Sequence, residues 1–123
     1  MVEFTLVLPI LCVVLFGVIQ MGILFHDYIT LTDATRAGAR VAAVSSQDPL
    51  RVSKVSAAVK NSAQNLDQSK VKGAACSGAP SAVSTWAHGA DVTVTATYPY
   101  SVSLLGFVVK SGSLSSATTE RVE

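Results

Sequence analysis

From Phe4 to Phe25 the chain carries no charge. The segment reads FTLVLPILCVVLFGVIQMGILF, and only Thr5 and Gln20 are strongly polar. Twenty-two residues of α-helix rise about 33 Å, against a hydrocarbon core of about 30 Å. The pattern predicts a membrane-spanning helix. A buried core helix is the competing reading, but a domain this small could hardly cover an apolar helix on all sides. A cleaved secretory signal has a shorter apolar region with a basic stretch before it. No Lys or Arg precedes this one, so the segment reads as retained.

The helical pattern continues past the span. Residues 26–46 contain no proline. Leu24, Tyr28, Leu31, Ala34, Gly38, Val41, Ala42 and Ser45 recur at three- and four-residue spacing and share one face. Asp33, Arg36 and Arg40 fall elsewhere and can pair along the helix. Around Ala34, Gly38 and Ala42 the face is made of small residues, which let another backbone come close. One helix from about residue 3 to about 46 would be about 65 Å long, twice what a single-pass anchor needs. The second half must pack on the chain's own globular part or on neighbouring copies. A polymer is expected to bury it between subunits, a simple anchor on its own domain.

Asp48-Pro49 should end this helix and start another, with Asp48 as N-cap and proline at the first helical position. Residues 50–66 place Val52, Val55, Val59, Ser62 and Leu66 on one face, with Arg51, Lys54 and Lys60 off it. Residues 73–90 (GAACSGAPSAVSTWAHGA) read mostly as loop, with Trp86 as a core plug. The period then becomes two. Val92, Val94, Ala96, Tyr98, Tyr100 and Val102 alternate with Thr93, Thr95 and Thr97, as in a half-buried strand. Pro99 should end that strand or confine it to an edge. The apolar run Val102–Val109 around Gly106 reads as a strand or as a hydrophobic loop that docks on a neighbour. Ser111-Gly112-Ser113 reads as a turn, and residues 113–123 as a final polar strand. The expected fold is α+β and pilin-like. A long helix (1–47, span 4–25, amphipathic part 26–47) precedes a small globular domain (48–123) with a second helix and an antiparallel sheet.

Composition sharpens this picture. The chain has 123 residues, is 50% hydrophobic and only 14% charged, and has a mean hydropathy of +0.47. It is too apolar to be disordered. A net charge of +1 lacks the basic excess that phosphate backbones demand, so no nucleic-acid partner is expected. His26 and His88 stand in no ligand-spaced cluster, and no nucleophile elbow, P-loop or dinucleotide fingerprint appears. No enzyme activity, metal or cofactor is expected. His26-Asp27 reads as a solvated pair at the membrane boundary and His88 as a loop residue. Cys12 lies in the span and Cys76 in the polar segment, too far apart to bridge if the span crosses a membrane. Glu3 sits at the edge of the apolar segment, where a helix N-terminus favours an acid. Packed among apolar helices, it would need a partner such as a nearby amino terminus.

These residues carry a resemblance. Val2-Glu3-Phe4 before the apolar run, Leu8-Pro9, the Gly17 region and the Thr-Asp-Ala…Arg-Ala-Gly-Ala-Arg segment at 32–40 resemble the start of TadE-like proteins, pilin-like components of tight-adherence (Tad) pili. Val92–Tyr100, the following apolar loop and the closing Leu-Ser…Thr-Glu-Arg-Val-Glu are similar to the family's final strands. The resemblance implies a structural subunit held in the inner membrane by its helix, trimmed by a prepilin peptidase and handled by the inner-membrane assembly machinery. Such a subunit bundles with copies of itself and related pilins into an extracellular filament. The implied assembly residues are Glu3, Phe4, Pro9, Ala34, Gly38 and Ala42. Glu3 matches the acid that contacts a neighbour's amino terminus, although that acid is usually the fifth residue. All nine basic residues follow the span, so the positive-inside rule alone puts 26–123 in the cytoplasm. Pilins put that part outside, their basic leader supplying the inner charge, and the family orientation is the one expected. The alternative is a non-polymerising, single-span accessory protein of a secretion or envelope machinery.

Overall fold

A computed structural model of the chain describes residues 2–45, 47–77, 88–104 and 107–123. The fold is α+β with a long N-terminal helix. Helix α1 runs Val2–Val44 without interruption. Proline at position 9 removes one donor, but residues on both sides of it are good lipid-facing helix formers, and the helix continues through. It ends one turn before Pro49, with the Ser45 N–H bonding the Val41 carbonyl at 3.0 Å.

Helix α2, Arg51–Ser62, is shorter than its periodicity predicts. Asp48 does not cap it in the expected position, because Leu50 is the N-cap residue. Instead the Asp48 carboxylate accepts the Leu50 N–H at 2.8 Å and pairs with the Lys54 ammonium. Val55 and Val59 are buried as expected, and Ala63 and Leu66 extend that face in the turn beyond the helix. Val52 and Ser62 do not join them. Both are exposed, since α2 turns only a narrow stripe toward α1.

Three strands follow, β1 Lys72–Ser77, β2 Asp91–Leu104 and β3 Phe107–Arg121, antiparallel in the order β1-β2-β3. Residues 73–77, expected as loop, form the edge strand. They are too short and too rich in small residues to show a period of two. Trp86 and Gly106 lie outside the described residues. The turn expected at Ser111-Gly112-Ser113 is instead the interior of β3, and the β2–β3 pairing closes only at Leu104↔Phe107. Gly112 pairs with Tyr100, and a Cβ on it would stand 3.0 Å from the Tyr100 ring. The glycine is there to seat an aromatic ring, not to reverse the chain. Pro99 does not end β2 either. β1 pairs with β2 only as far as Thr97, so Pro99 has a neighbour on one side alone, the edge condition a proline tolerates.

The second half of α1 lies against α2, β2 and β3. The core joins Leu31, Ala34, Ala39 and Ala42 of α1 to Val55 and Val59 of α2 and to Val92, Val94 and Ala96 of β2. The Thr93 and Thr119 hydroxyls bond across the strands at 2.8 Å on the opposite face. Gly38 fits because it has no side chain. A Cβ there would meet a Val59 methyl at 2.5 Å and a Val94 methyl at 3.4 Å. The core also holds a polar seam. The buried Thr35 hydroxyl donates to the Thr32 carbonyl at 2.8 Å and lies 3.3 Å from the Ser116 hydroxyl and 3.1 Å from that of Thr118. The chain's last residues close the far end. Gly89, at φ +81°, turns the chain so that its N–H reaches the Val122 carbonyl at 2.8 Å. His88 Nδ1 lies 2.7 Å from the Glu123 carbonyl, so this histidine ties the turn to the end of β3.

Candidate membrane and assembly surface

The first half of α1 touches almost nothing. None of its most apolar stretch is buried, and fifteen large apolar side chains between Phe4 and Phe25 are exposed. Full burial of such a side chain is worth about 1.5–3 kcal/mol. At roughly half exposure, the fifteen would together cost on the order of 10–20 kcal/mol in water, as much as the whole stability of a typical domain. The arm therefore requires a cover of lipid or other apolar helices. Its length and its uncharged composition fit a bilayer.

The expected assembly residues fall in two groups. Glu3, Phe4 and Pro9 lie on the exposed arm, with Glu3 in the first turn of α1. There the carboxylate faces the positive end of the helix dipole. Ala34, Gly38 and Ala42 are buried within the chain, against α2 and β2. The missing side chain of Gly38 serves the close approach of Val55, Val59 and Val94, and all three positions are buried in the chain's own core. Of the two outcomes expected for this face, burial on its own domain is the one observed. Gly17 and Gly22 are different, because a Cβ on either would meet nothing within 4 Å.

Between arm and domain lies a polar belt. His26 and Asp27 stand 3.6 Å apart at the end of the apolar run. Asp27, Gln20 and Leu24 share a cleft of about 180 Å³ with Lys70, Tyr98 and Tyr100. Tyrosines and a lysine where an apolar span emerges are what a headgroup region favours. The period of two puts Tyr98 and Tyr100 on one face with Val92 and Val94; that this face meets α1 at the level of Gln20, Leu24 and Asp27 follows only from the tertiary packing. Further along, Asp33 and Arg36 pair at 3.3 Å on the exposed side of α1. Two carboxylates of the domain are held below their ordinary pKa of 3.8. Asp48 is held first by the hydrogen bond from Lys54 and Asp67 first by that from Ser69. Cys12 is a free, exposed thiol on the arm, and Cys76 stands in β1 opposite Val94. Among the described residues no group of three or more His, Cys, Asp or Glu could hold a metal ion.

Comparison with known proteins bears on the arm and the start of the domain-facing half. Residues 1–40 match the family model described as TadE-like protein. The match does not reach the carboxy-terminal strands. No curated protein and no solved structure matches the chain. TadE-like proteins are a pilus-associated structural family, not an enzyme family. With a TadE-like match over residues 1–40 and an exposed helix long and apolar enough to cross a bilayer, the chain fits a membrane-anchored TadE-like protein of a Tad pilus system.

Proposed function

We propose that this protein is a structural pilin-like subunit. Its helical arm holds it in the membrane and then buries against the arms of other copies and of related pilins in an extracellular filament. The observation that carries the reading is the exposed apolar arm on a separately packed domain. An arm without charge from Phe4 to Phe25 can exchange lipid for identical helices at little cost, since both solvents are apolar. The domain core already occupies Ala34, Gly38 and Ala42, so assembly falls to the exposed set, Glu3, Phe4 and Pro9 with their apolar neighbours. Glu3 would neutralise a neighbouring amino terminus as the arms come together. The inner-membrane assembly machinery and a prepilin peptidase are the further partners this reading requires.

The test is Glu3→Ala. An unpaired carboxylate is costly among apolar helices, and its removal leaves the apolar run intact. The variant should insert into membranes like the parent and fail to enter filaments. Normal filaments in that variant would refute the role. The second reading is an accessory anchor that never polymerises, and the burial of the small-residue face inside the chain favours it.

A further inference from the structure

We propose that the end of the β2–β3 pair around Val102, Val108 and Val109 (the tip) is a second membrane-binding element, which enters the headgroup and outer acyl region beside the helical arm. The inference rests on the reading of the arm as a membrane span.

The first observation is the level of the tip. β2 runs antiparallel to α1, with Val94 beside Gly38 at one end and Val102 in the cleft of Gln20, Ile23 and Leu24 at the other. From Gly38 to Gln20 the helix falls about 27 Å at 1.5 Å per residue, and from Val94 to Val102 the strand covers about 26 Å at 3.3 Å per residue. The two lengths match, and Val102 lines the same cleft as Gln20, Ile23 and Leu24. The apolar run ends at Phe25, about 8 Å nearer the domain. β2 has therefore reached the apolar run by Val102.

The second observation is chemistry. Where β2 passes the end of that run it carries Tyr98 and Tyr100, with Lys70 beside them, a headgroup-level set. Beyond it the described residues Val102, Val108 and Val109 are apolar. The register passes from Val102↔Lys110 to Ser103↔Val108, which leaves Val109 as an extra, bulged residue. Val108 and Val109 are 64% and 67% exposed. Lys110 follows and is also exposed, placed to reach back toward phosphate while its stem stays in the apolar layer. A bilayer already surrounds the neighbouring arm at this depth, and it is the occupant to which the apolar tip is continuous. Entry of about 5–10 Å is the depth usual for interfacial elements.

The experiment uses the full chain in phospholipid vesicles, at high lipid-to-protein ratio, in a Cys12→Ala, Cys76→Ala background. A polarity-sensitive fluorophore is attached to Val108→Cys, to Ile19→Cys as depth reference, or to Thr119→Cys at the far end of the hairpin. Lipid spin-labelled at a shallow acyl position is the quencher. The labels at 108 and 19 should lose fluorescence and the label at 119 should not. If 19 is quenched and 108 behaves like 119, the span stands and the tip proposal is overturned. If 19 is not quenched, the membrane reading of the arm fails and the proposal falls with it. A label at 108 that is shielded without quenching, and becomes exposed on dilution with lipid, assigns the tip to a second copy and also overturns the proposal. Val108 makes no core contact, and Lys110→Cys gives a second tip position should the first variant misfold.

Discussion

Alanine at Gly38 tests whether the second half of α1 is packed as described. Two effects oppose each other. In a helix interior alanine is favoured over glycine by about 1 kcal/mol. Against this, the added Cβ would lie 2.5 Å from the Val59 Cγ2 and 3.4 Å from the Val94 Cγ1. Val59 cannot step aside by rotation, because a valine in a helix has one strongly preferred rotamer. Relief requires α1 and α2 to separate, and overpacking of this kind costs about 1–3 kcal/mol. The clash should win, with a net loss of about 1 kcal/mol, or a fall in Tm of about 5 °C for a domain of this size. Thermal unfolding of the full chain in detergent micelles, followed by near-ultraviolet circular dichroism, reads the domain and not the arm. Gly38→Ala with Val59→Ala should cost less than the sum of the single losses, since the shortened side chain at 59 makes room for the new methyl. Gly17→Ala is the control. It meets nothing within 4 Å and should leave the transition in place. A Gly38→Ala protein as stable as the parent, or more so, would refute the packing.

Thr35→Val keeps the shape of a buried side chain but removes the hydroxyl shared by the Thr32 carbonyl, Ser116 and Thr118. It should cost about 1–3 kcal/mol in the same unfolding assay, as partners are left unmatched. Asp48 has a folded pKa below 3.8, held first by the Lys54 hydrogen bond. Its contribution is therefore complete above the unfolded value and is lost as pH falls through the folded one. Amide exchange in the first turn of α2 should accelerate on acidification below that range in the parent and lose this dependence in Asp48→Asn.

Much of the fold is legible in the sequence because it rests on periodicity. The uncharged run to Phe25 declares an apolar surrounding through its length, while the small residues at 34, 38 and 42 and the Val92–Val94–Ala96 alternation state their burial through spacing. What spacing misses is partnership. Gly112 and Pro99 read as chain breakers, yet one seats the Tyr100 ring and the other stands where β1 has already ended. Thr35 reads as polar, although it is buried among hydroxyls contributed from far along the chain. The short edge strand β1 is held by backbone bonds to β2, which leave no mark on side-chain pattern. For the candidate surface, the exposed arm is legible. That Ala34, Gly38 and Ala42 meet the chain's own domain instead of a neighbour depends on tertiary packing, which one face of one helix does not encode.

On the proposed function, the exposed arm is first a membrane anchor and then the element of assembly. Shearing of surface filaments from producing cells, with mass identification of the sheared and membrane fractions, tests it most directly. This chain should appear in both fractions of the parent and, for Glu3→Ala, in the membrane fraction alone. A chain found only in the membrane fraction of the parent, from cells that bear filaments, would contradict it.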